Sequence, residues 1–271
     1  MTSTTADFWR VTQATADGFC VVEFKRPPVN ALSPEALMEL SGLVRELDDD
    51  ENVRAIVFTS AHPSIFMAGA DLKHMQSVGF TDARVSERVD RVHGVYARLQ
   101  KLSKPTIGAL EGHALGGGCE FALSLDFRFM TRGFAGIGLP EVTLGLIPAA
   151  GGTQRLARLV GRTCAADMLM LGRRLDADEA EGIGLVTASD DARASALAYA
   201  EQLAAMPASS LRAIKLCLNE GYDGDLHRGL AVERTAAMQA FTSPEAAEGV
   251  SAFLDKRTPR FHTLRQEEIN V

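Results

Sequence analysis

Pro105-Thr106-Ile107-Gly108-Ala109-Leu110 leads through Glu111 into Gly112-His113-Ala114-Leu115-Gly116-Gly117-Gly118-Cys119-Glu120, and then into Phe121-Ala122-Leu123-Ser124-Leu125. The first segment reads as a buried strand and the last as the start of an apolar helix, with a glycine turn between them. A strand, a glycine turn and a helix start in that order present backbone N–H groups at a helix N-terminus. Such groups stabilise negative charge, because the first turn has unpaired donors and the positive end of the helix dipole. Glycine lets a ligand come close to that backbone. Glu120 adds a carboxylate within a few residues of the donors. Together they suit chemistry in which an oxygen becomes anionic while a proton moves nearby. Taken alone, the stretch reads first as a structural turn with a surface glutamate.

Upstream, Phe8-Trp9-Arg10-Val11 and Phe19-Cys20-Val21-Val22-Glu23-Phe24 read as two strands around a turn at Asp17-Gly18. Ser33-Pro34 starts a helix, with a capping hydroxyl and a proline at its first position. Leu37, Leu40, Leu43, Val44 and Leu47 continue it to Asp48-Asp49-Asp50. Residues 54–59 form a short buried strand. Phe66-Met67-Ala68-Gly69-Ala70-Asp71-Leu72 is a small-residue turn into a helix that Asp71 can cap. A helix over 82–102 carries Val85, Val89, Val92, Val95, Tyr96 and Leu99 on one face. Its arginines Arg84, Arg88, Arg91 and Arg98, interleaved with acids, read as a solvated face.

Downstream, Phe127-Arg128-Phe129-Met130 is a further strand. Glu141 follows Pro140 and precedes the largely apolar run through Gly145 to Pro148. A carboxylate set between apolar segments is a candidate for desolvation, a raised pKa and proton transfer. From this segment alone it is as readily a first-turn glutamate on a short helix. Gly151-Gly152 opens a helix to Val160, a second helix ends at Leu171, and Asp176 caps a third. Gly184-Leu185-Val186 leads to a strand. Beyond Asp191 the chain reads as helical throughout, with breaks at Pro207, Gly221–Gly224 and Pro244, and the residues after Phe261 form a polar tail.

The 271 residues suffice for one large domain or a domain with an appendage. A net charge of −7 argues against non-specific nucleic-acid binding. No apolar run reaches transmembrane length, and the first residues lack the basic and apolar blocks of a signal peptide. The four cysteines are scattered, as expected of reduced thiols in a cytoplasmic protein. P-loop, Rossmann, nucleophile-elbow and H-E-x-x-H patterns are absent, and the six histidines have no metal-ligand spacing. Two donor-bearing turns and two carboxylates remain.

These motifs, in this order, resemble the enoyl-CoA hydratase/isomerase family, the crotonase superfamily. The resemblance runs from about Arg26 to Phe253. It rests on Ala68-Gly69-Ala70-Asp71-Leu72, on Ala114-Leu115-Gly116-Gly117-Gly118-Cys119-Glu120, and on Pro140-Glu141 through Gly151-Gly152-Thr153-Gln154-Arg155-Leu156. Asn30-Ala31-Leu32 and Ala252-Phe253-Leu254-Asp255-Lys256-Arg257 resemble the family's start and end. The interval between the two glutamates carries one extra residue near Thr131–Phe134.

The resemblance implies an α/β fold: a spiral of β-β-α units over 1–195, and a C-terminal helical region over 196–271 that serves trimer formation and part of the coenzyme A site. It implies an acyl-CoA thioester substrate from fatty-acid or related metabolism, and a homotrimer or a hexamer of paired trimers. No metal or redox cofactor is implied, and coenzyme A enters only as part of the substrate. The oxyanion hole maps onto the N–H groups of Ala70 and Gly117, and the catalytic pair onto Glu120 and Glu141. Ala68, Asp71, Leu72, Lys73, Gly116, Pro140, Gly145, Phe253 and Lys256 map onto substrate and coenzyme A contacts. The activity implied first is hydration of a trans-2-enoyl-CoA. A Δ3,Δ2-enoyl-CoA isomerase or another thioester enolate enzyme is the alternative within the family, and a non-catalytic acyl-CoA or RNA-binding relative is the alternative of another class.

Overall fold

The structure, a computed structural model, describes residues 7–12, 14–15, 18–133, 136–222 and 224–261. Asp17 of the first turn, Phe134 of the lengthened loop, and the polar tail lie outside the described residues. In chain order the elements are β1 (Trp9–Val11), β2 (Phe19–Phe24), β3 (Ala31–Leu32), α1 (Pro34–Asp49), β4 (Ala55–Ser60), β5 (Ile65–Met67), β6 (Gly69–Ala70), α2 (Leu72–Val78) and α3 (Asp82–Gln100). Then come β7 (Thr106–Leu110), β8 (His113–Leu115), α4 (Gly117–Leu123), β9 (Phe127–Thr131), β10 (Ile137–Gly138) and a 3-10 turn (Pro140–Leu144). They are followed by α5 (Gly152–Val160), α6 (Arg162–Leu171), β11 (Arg174–Leu175), α7 (Ala177–Gly182), β12 (Thr187–Ser189), α8 (Ala192–Ala204), α9 (Ala208–Leu216), α10 (Leu226–Phe241) and α11 (Pro244–Leu254).

Two sheets organise these elements. The larger runs β1-β2-β4-β7-β9-β12, parallel except for the β1–β2 hairpin. The smaller runs β11-β10-β8-β5 and is parallel from β5 through β10. Successive segments each place one strand in the larger sheet and the next in the smaller: β4 then β5, β7 then β8, β9 then β10. Helical structure follows before the next step. That repetition is a β-β-α spiral, and it sets the C-terminal ends of β8 and β10 side by side.

Every residue of β4 and β7 is buried, as expected of parallel strands covered on both faces. Alternation along the strand sorts the side chains between two cores. Ile56 and Phe58 face a core that includes Trp9, Phe24 and Phe121. Ala55, Val57, Ile107 and Ala109 face Ala196, Ala200 and Ala204 of α8. Alanines spaced four apart form one small-residue face of α8, so the helix lies close on the sheet. A division of the chain at 195/196 therefore falls inside α8, a helix that packs on the larger sheet. Gly184-Leu185-Val186 leads, as expected, into the strand β12 at Thr187, with Leu185 buried in the core.

Ser33 accepts from the Ala36 N–H and Asp71 from the His74 N–H, so both expected caps are present. Beyond α8, Arg54 ties the helical end to the body by donating to the carbonyls of Ala204 and Met206. Lys215 does the same through Asp126, at 2.6 Å. α10 and α11 leave Leu226, Phe241, Phe253 and Leu254 largely exposed. Among the described residues, no helix is long and apolar enough to cross a membrane.

Candidate active site

Three chain segments meet at the ends of the smaller sheet and of the β3–β6 pair. β8 runs into Gly116 and α4, β10 runs into Pro140 and the 3-10 turn, and β6 runs into Asp71 and α2. The C-terminal edge of parallel strands is where α/β proteins place ligands. A cavity of about 790 Å³ opens there, lined by Ala68, Gly69, Ala70, Gly116, Gly117, Glu120, Pro140 and Glu141 among others.

The two glycine turns touch. Gly69 has φ +100°, and a Cβ on it would come within 2.9 Å of the Leu115 carbonyl oxygen and 3.1 Å of the Gly117 nitrogen. A Cβ on Gly117 would lie 3.4 Å from the Ala70 nitrogen. A side chain at Gly69 would push the turns apart while one at Gly117 would only touch Ala70, so it is chiefly Gly69 that lets the backbone of Ala70 and Gly117 share one corner of the cavity. Gly118 has no room either, since its Cβ would fall 2.1 Å from the Met67 oxygen. Tyr96 is fully buried on α3 and donates its hydroxyl to the Gly117 carbonyl at 3.0 Å. Its ring packs against Phe121, which also meets Trp9, Phe58 and Phe66. The aromatic cluster fixes α4 from below.

Glu120 is 3% exposed, not a surface residue. Its Oε1 accepts from the backbone N–H of Ala150 at 2.7 Å and of Gly152 at 2.8 Å. Burial raises its pKa, and the two N–H donors oppose that rise by stabilising the anion. A Cβ on Gly152 would sit 3.0 Å from the Glu120 carboxylate, so glycine is the residue that permits this grip.

Glu141 stands in the first turn of the 3-10 segment, as the plainer reading of its sequence had it, and it also lines the cavity. Burial pushes its carboxyl up to about 7, and the nearby Glu120 adds to the rise. Its Oε2 has no hydrogen-bond partner among the described residues. Its Oε1 lies 3.1 Å from where a Cβ of Gly116 would be. Two carboxylates with different surroundings thus face one cavity, one held by the Ala150 and Gly152 donors and one with an oxygen that has no partner among the described residues.

Of the other expected residues, Asp71 and Leu72 line the cavity, while Gly145 closes the 3-10 turn in a left-handed conformation. Asp71 is engaged: the His74 N–H and Arg26, at 2.7 Å, hold its pKa down. Lys73 is exposed on α2 and does not line the cavity. Phe253, 82% exposed, and Lys256, with φ +53°, sit at the end of α11 and are likewise not brought to it. Sequence reasoning missed the Ala150 and Gly152 donors, Tyr96, and the inward side of α3. The signal for Tyr96 was a hydroxyl inside an apolar stripe, which needs a partner when buried. The face read as solvated is corrected in part: Arg84, Arg88 and Arg91 line the cavity.

Comparison with known proteins places this arrangement in a wider set. A family model described as enoyl-CoA hydratase/isomerase matches residues 14–264. A probable enoyl-CoA hydratase of Mycobacterium bovis is 37% identical over 245 residues, covering 89% of this chain and 93% of its own. The crystal structure of an enoyl-CoA hydratase from Bacillus anthracis superposes with a TM-score of 0.87 at 35% identity, over 93% of this chain and 98% of that one. An enoyl-CoA hydratase of Mycobacterium smegmatis gives 0.88 at 30% identity, over 94% and 99%. The fold expected from the sequence motifs is the fold these structures share.

Proposed function

This chain belongs to the enoyl-CoA hydratase/isomerase family, and from that premise we propose that it is a hydro-lyase adding water across the double bond of a trans-2-enoyl-CoA to give a 3-hydroxyacyl-CoA. The observation that carries the reading is the convergence of Glu120 and Glu141 on the cavity that also holds the Ala70 and Gly117 turns.

In this reading the thioester oxygen accepts from the Ala70 and Gly117 N–H groups, and a water lies between the two carboxylates. Glu120, its anion supported by Ala150 and Gly152, removes a proton as the water oxygen bonds to the β-carbon. The π electrons shift towards the thioester, whose oxygen takes on enolate charge where the donors point. One such donor is worth about 2.7–4 kcal/mol in the transition state, judged by its removal. Glu141, its carboxyl held protonated near neutrality by burial, delivers its proton to the α-carbon. Each turnover leaves one proton on the pair, moved from Glu141 to Glu120, and its return resets the site. The step calls for no metal or redox group. The pair titrates as a unit, so the two roles describe one shared-proton state.

Glu120→Gln and Glu141→Gln test the proposal. Each is expected to cut hydration of a short enoyl-CoA at least about 10²-fold, and the double variant is expected to be far less than multiplicatively worse. Ultraviolet absorbance of the conjugated thioester follows the reaction. A wild-type protein that shifts a 3-enoyl double bond readily but hydrates nothing, with Glu120→Gln nearly silent, replaces hydratase by isomerase.

A further inference from the structure

α3 forms one wall of the cavity and presents two parallel rows to it. Val85, Val89, Val92 and Tyr96, spaced 4, 3 and 4 apart, form an apolar row along one face. The row ends at the Tyr96 hydroxyl, against the Gly117 peptide. Beside it lie Arg84, Arg88 and Arg91. In a protein of net charge −7 this is a local concentration of positive charge.

The three arginines are not equivalent. Arg84 donates to the Val78 carbonyl, and Arg91 pairs with Glu87, a carboxylate that lines the same cavity. Arg88 is half-buried, lines the cavity, and has no hydrogen-bond or ion-pair partner among the described residues. The carboxylates on the other walls are in different positions: Asp71 is taken by Arg26, Glu120 is held by Ala150 and Gly152, and Glu141 makes no ion pair with Arg88. A partly desolvated guanidinium lacks compensation until an anion meets it, and its planar fork suits a carboxylate. Arg88 precedes Tyr96 by eight residues, about 12 Å along the helix axis. The row Val89–Val92 covers that interval with apolar surface.

We propose that Arg88 is a specificity residue that receives a carboxylate at the far end of the acyl chain, so that the cavity takes ω-carboxyl enoyl-CoA thioesters in preference to uncharged ones. The apolar row would contact the intervening carbons, and the thioester would sit at the Ala70 and Gly117 turns. This rests on the hydratase reading for the reaction, but the recognition itself is independent of it.

The test compares a matched six-carbon pair, trans-2-hexenoyl-CoA and its ω-carboxyl counterpart trans-2-hexenedioyl-CoA, on wild type, Arg88→Leu and Arg88→Lys. Wild type is expected to favour the dicarboxylic thioester. Arg88→Leu is expected to lower kcat/KM for it about 10- to 100-fold, the scale of a lost hydrogen bond to a charged group. The loss should fall mostly on KM, leaving hexenoyl-CoA within about threefold, and Arg88→Lys should recover part of it. Equal loss for both thioesters would mean that Arg88 meets the coenzyme A portion, and no loss for the diacid would mean that it meets nothing; either overturns the proposal. Calorimetric binding of the unreactive saturated pair, hexanoyl-CoA and adipyl-CoA, separates the two readings. If neither enoyl substrate is hydrated but wild type still prefers adipyl-CoA and Arg88→Leu does not, hydration fails and the recognition stands. If binding shows no Arg88-dependent preference, the recognition fails whatever the reaction.

Discussion

Glu141→Gln is expected to stabilise the folded protein at alkaline pH while removing its activity. The carboxyl titrates at about 7 in the folded chain against 4.5 for the free group, chiefly because burial disfavours its charge. Between those two values the folded state holds a proton that the unfolded state has lost. Stability from this group therefore falls as pH rises through that window, and above about 7 the full penalty is present. At about 1.36 kcal/mol per unit the shift amounts to about 3 kcal/mol. The side chain is only partly buried, so solvent screening reduces this to about 1–2 kcal/mol.

Glutamine has the same shape and no charge to desolvate. Its own packing differences apply at every pH, so the informative quantity is the change in the variant's advantage between pH 5 and pH 8. That change is expected to favour Glu141→Gln by about 1–2 kcal/mol, or about 2–8 °C in Tm for a chain of this size. Scanning calorimetry at one fixed protein concentration measures it, because assembly makes Tm concentration-dependent. A variant whose advantage is the same at both pH values, or smaller at pH 8, would refute the claim that burial holds the Glu141 proton.

Gly152→Ala places a methyl group 3.0 Å from the Glu120 carboxylate and 2.9 Å from Leu139. It is expected to lower kcat about tenfold or more with a smaller effect on KM, measured by steady-state hydration, since a displacement of about an ångström at a reacting group has effects of that order. The exposed apolar residues of α10 and α11, such as Leu226 and Phe241, lead us to expect a trimer or hexamer, and light scattering giving a monomer mass at every concentration would remove that expectation. Lys256 lies outside the cavity of the single chain, so a role in coenzyme A binding requires assembly to bring it there; in that case Lys256→Ala is expected to raise KM for acyl-CoA thioesters more than it lowers kcat, because a phosphate contact is alike in ground and transition states, and an unchanged KM would sink the assignment.

Local rules carried much of the fold into view. The Ser33 and Asp71 caps, the proline opening α1 and the largely apolar runs of β4 and β7 each depend on neighbours within a few residues, and each was readable from the chain. Read from the residues themselves the candidate pair was two separate carboxylates, and it was the family resemblance that paired them. What brings them together is the parallel pairing of β8 with β10, a contact between segments more than twenty residues apart that no local pattern encodes. The same limit explains Glu120: nothing near it in sequence indicates that Ala150 and Gly152, some thirty residues on, supply the donors that offset its burial.

α3 shows a different limit. Its valines and arginines alternate around the helix, and sequence alone sorts them into an inner apolar face and an outer charged one. That division assumes a flat boundary between core and water. Here the boundary is a cavity, and a helix beside a cavity has flanks that are neither core nor bulk solvent. Arg84, Arg88 and Arg91 lie on such a flank. Charge on a flank is screened less than charge on an open face, so it bears on whatever enters the cavity. Within that row Arg84 and Arg91 are engaged, and Arg88 is the residue we propose to distinguish one acyl chain from another.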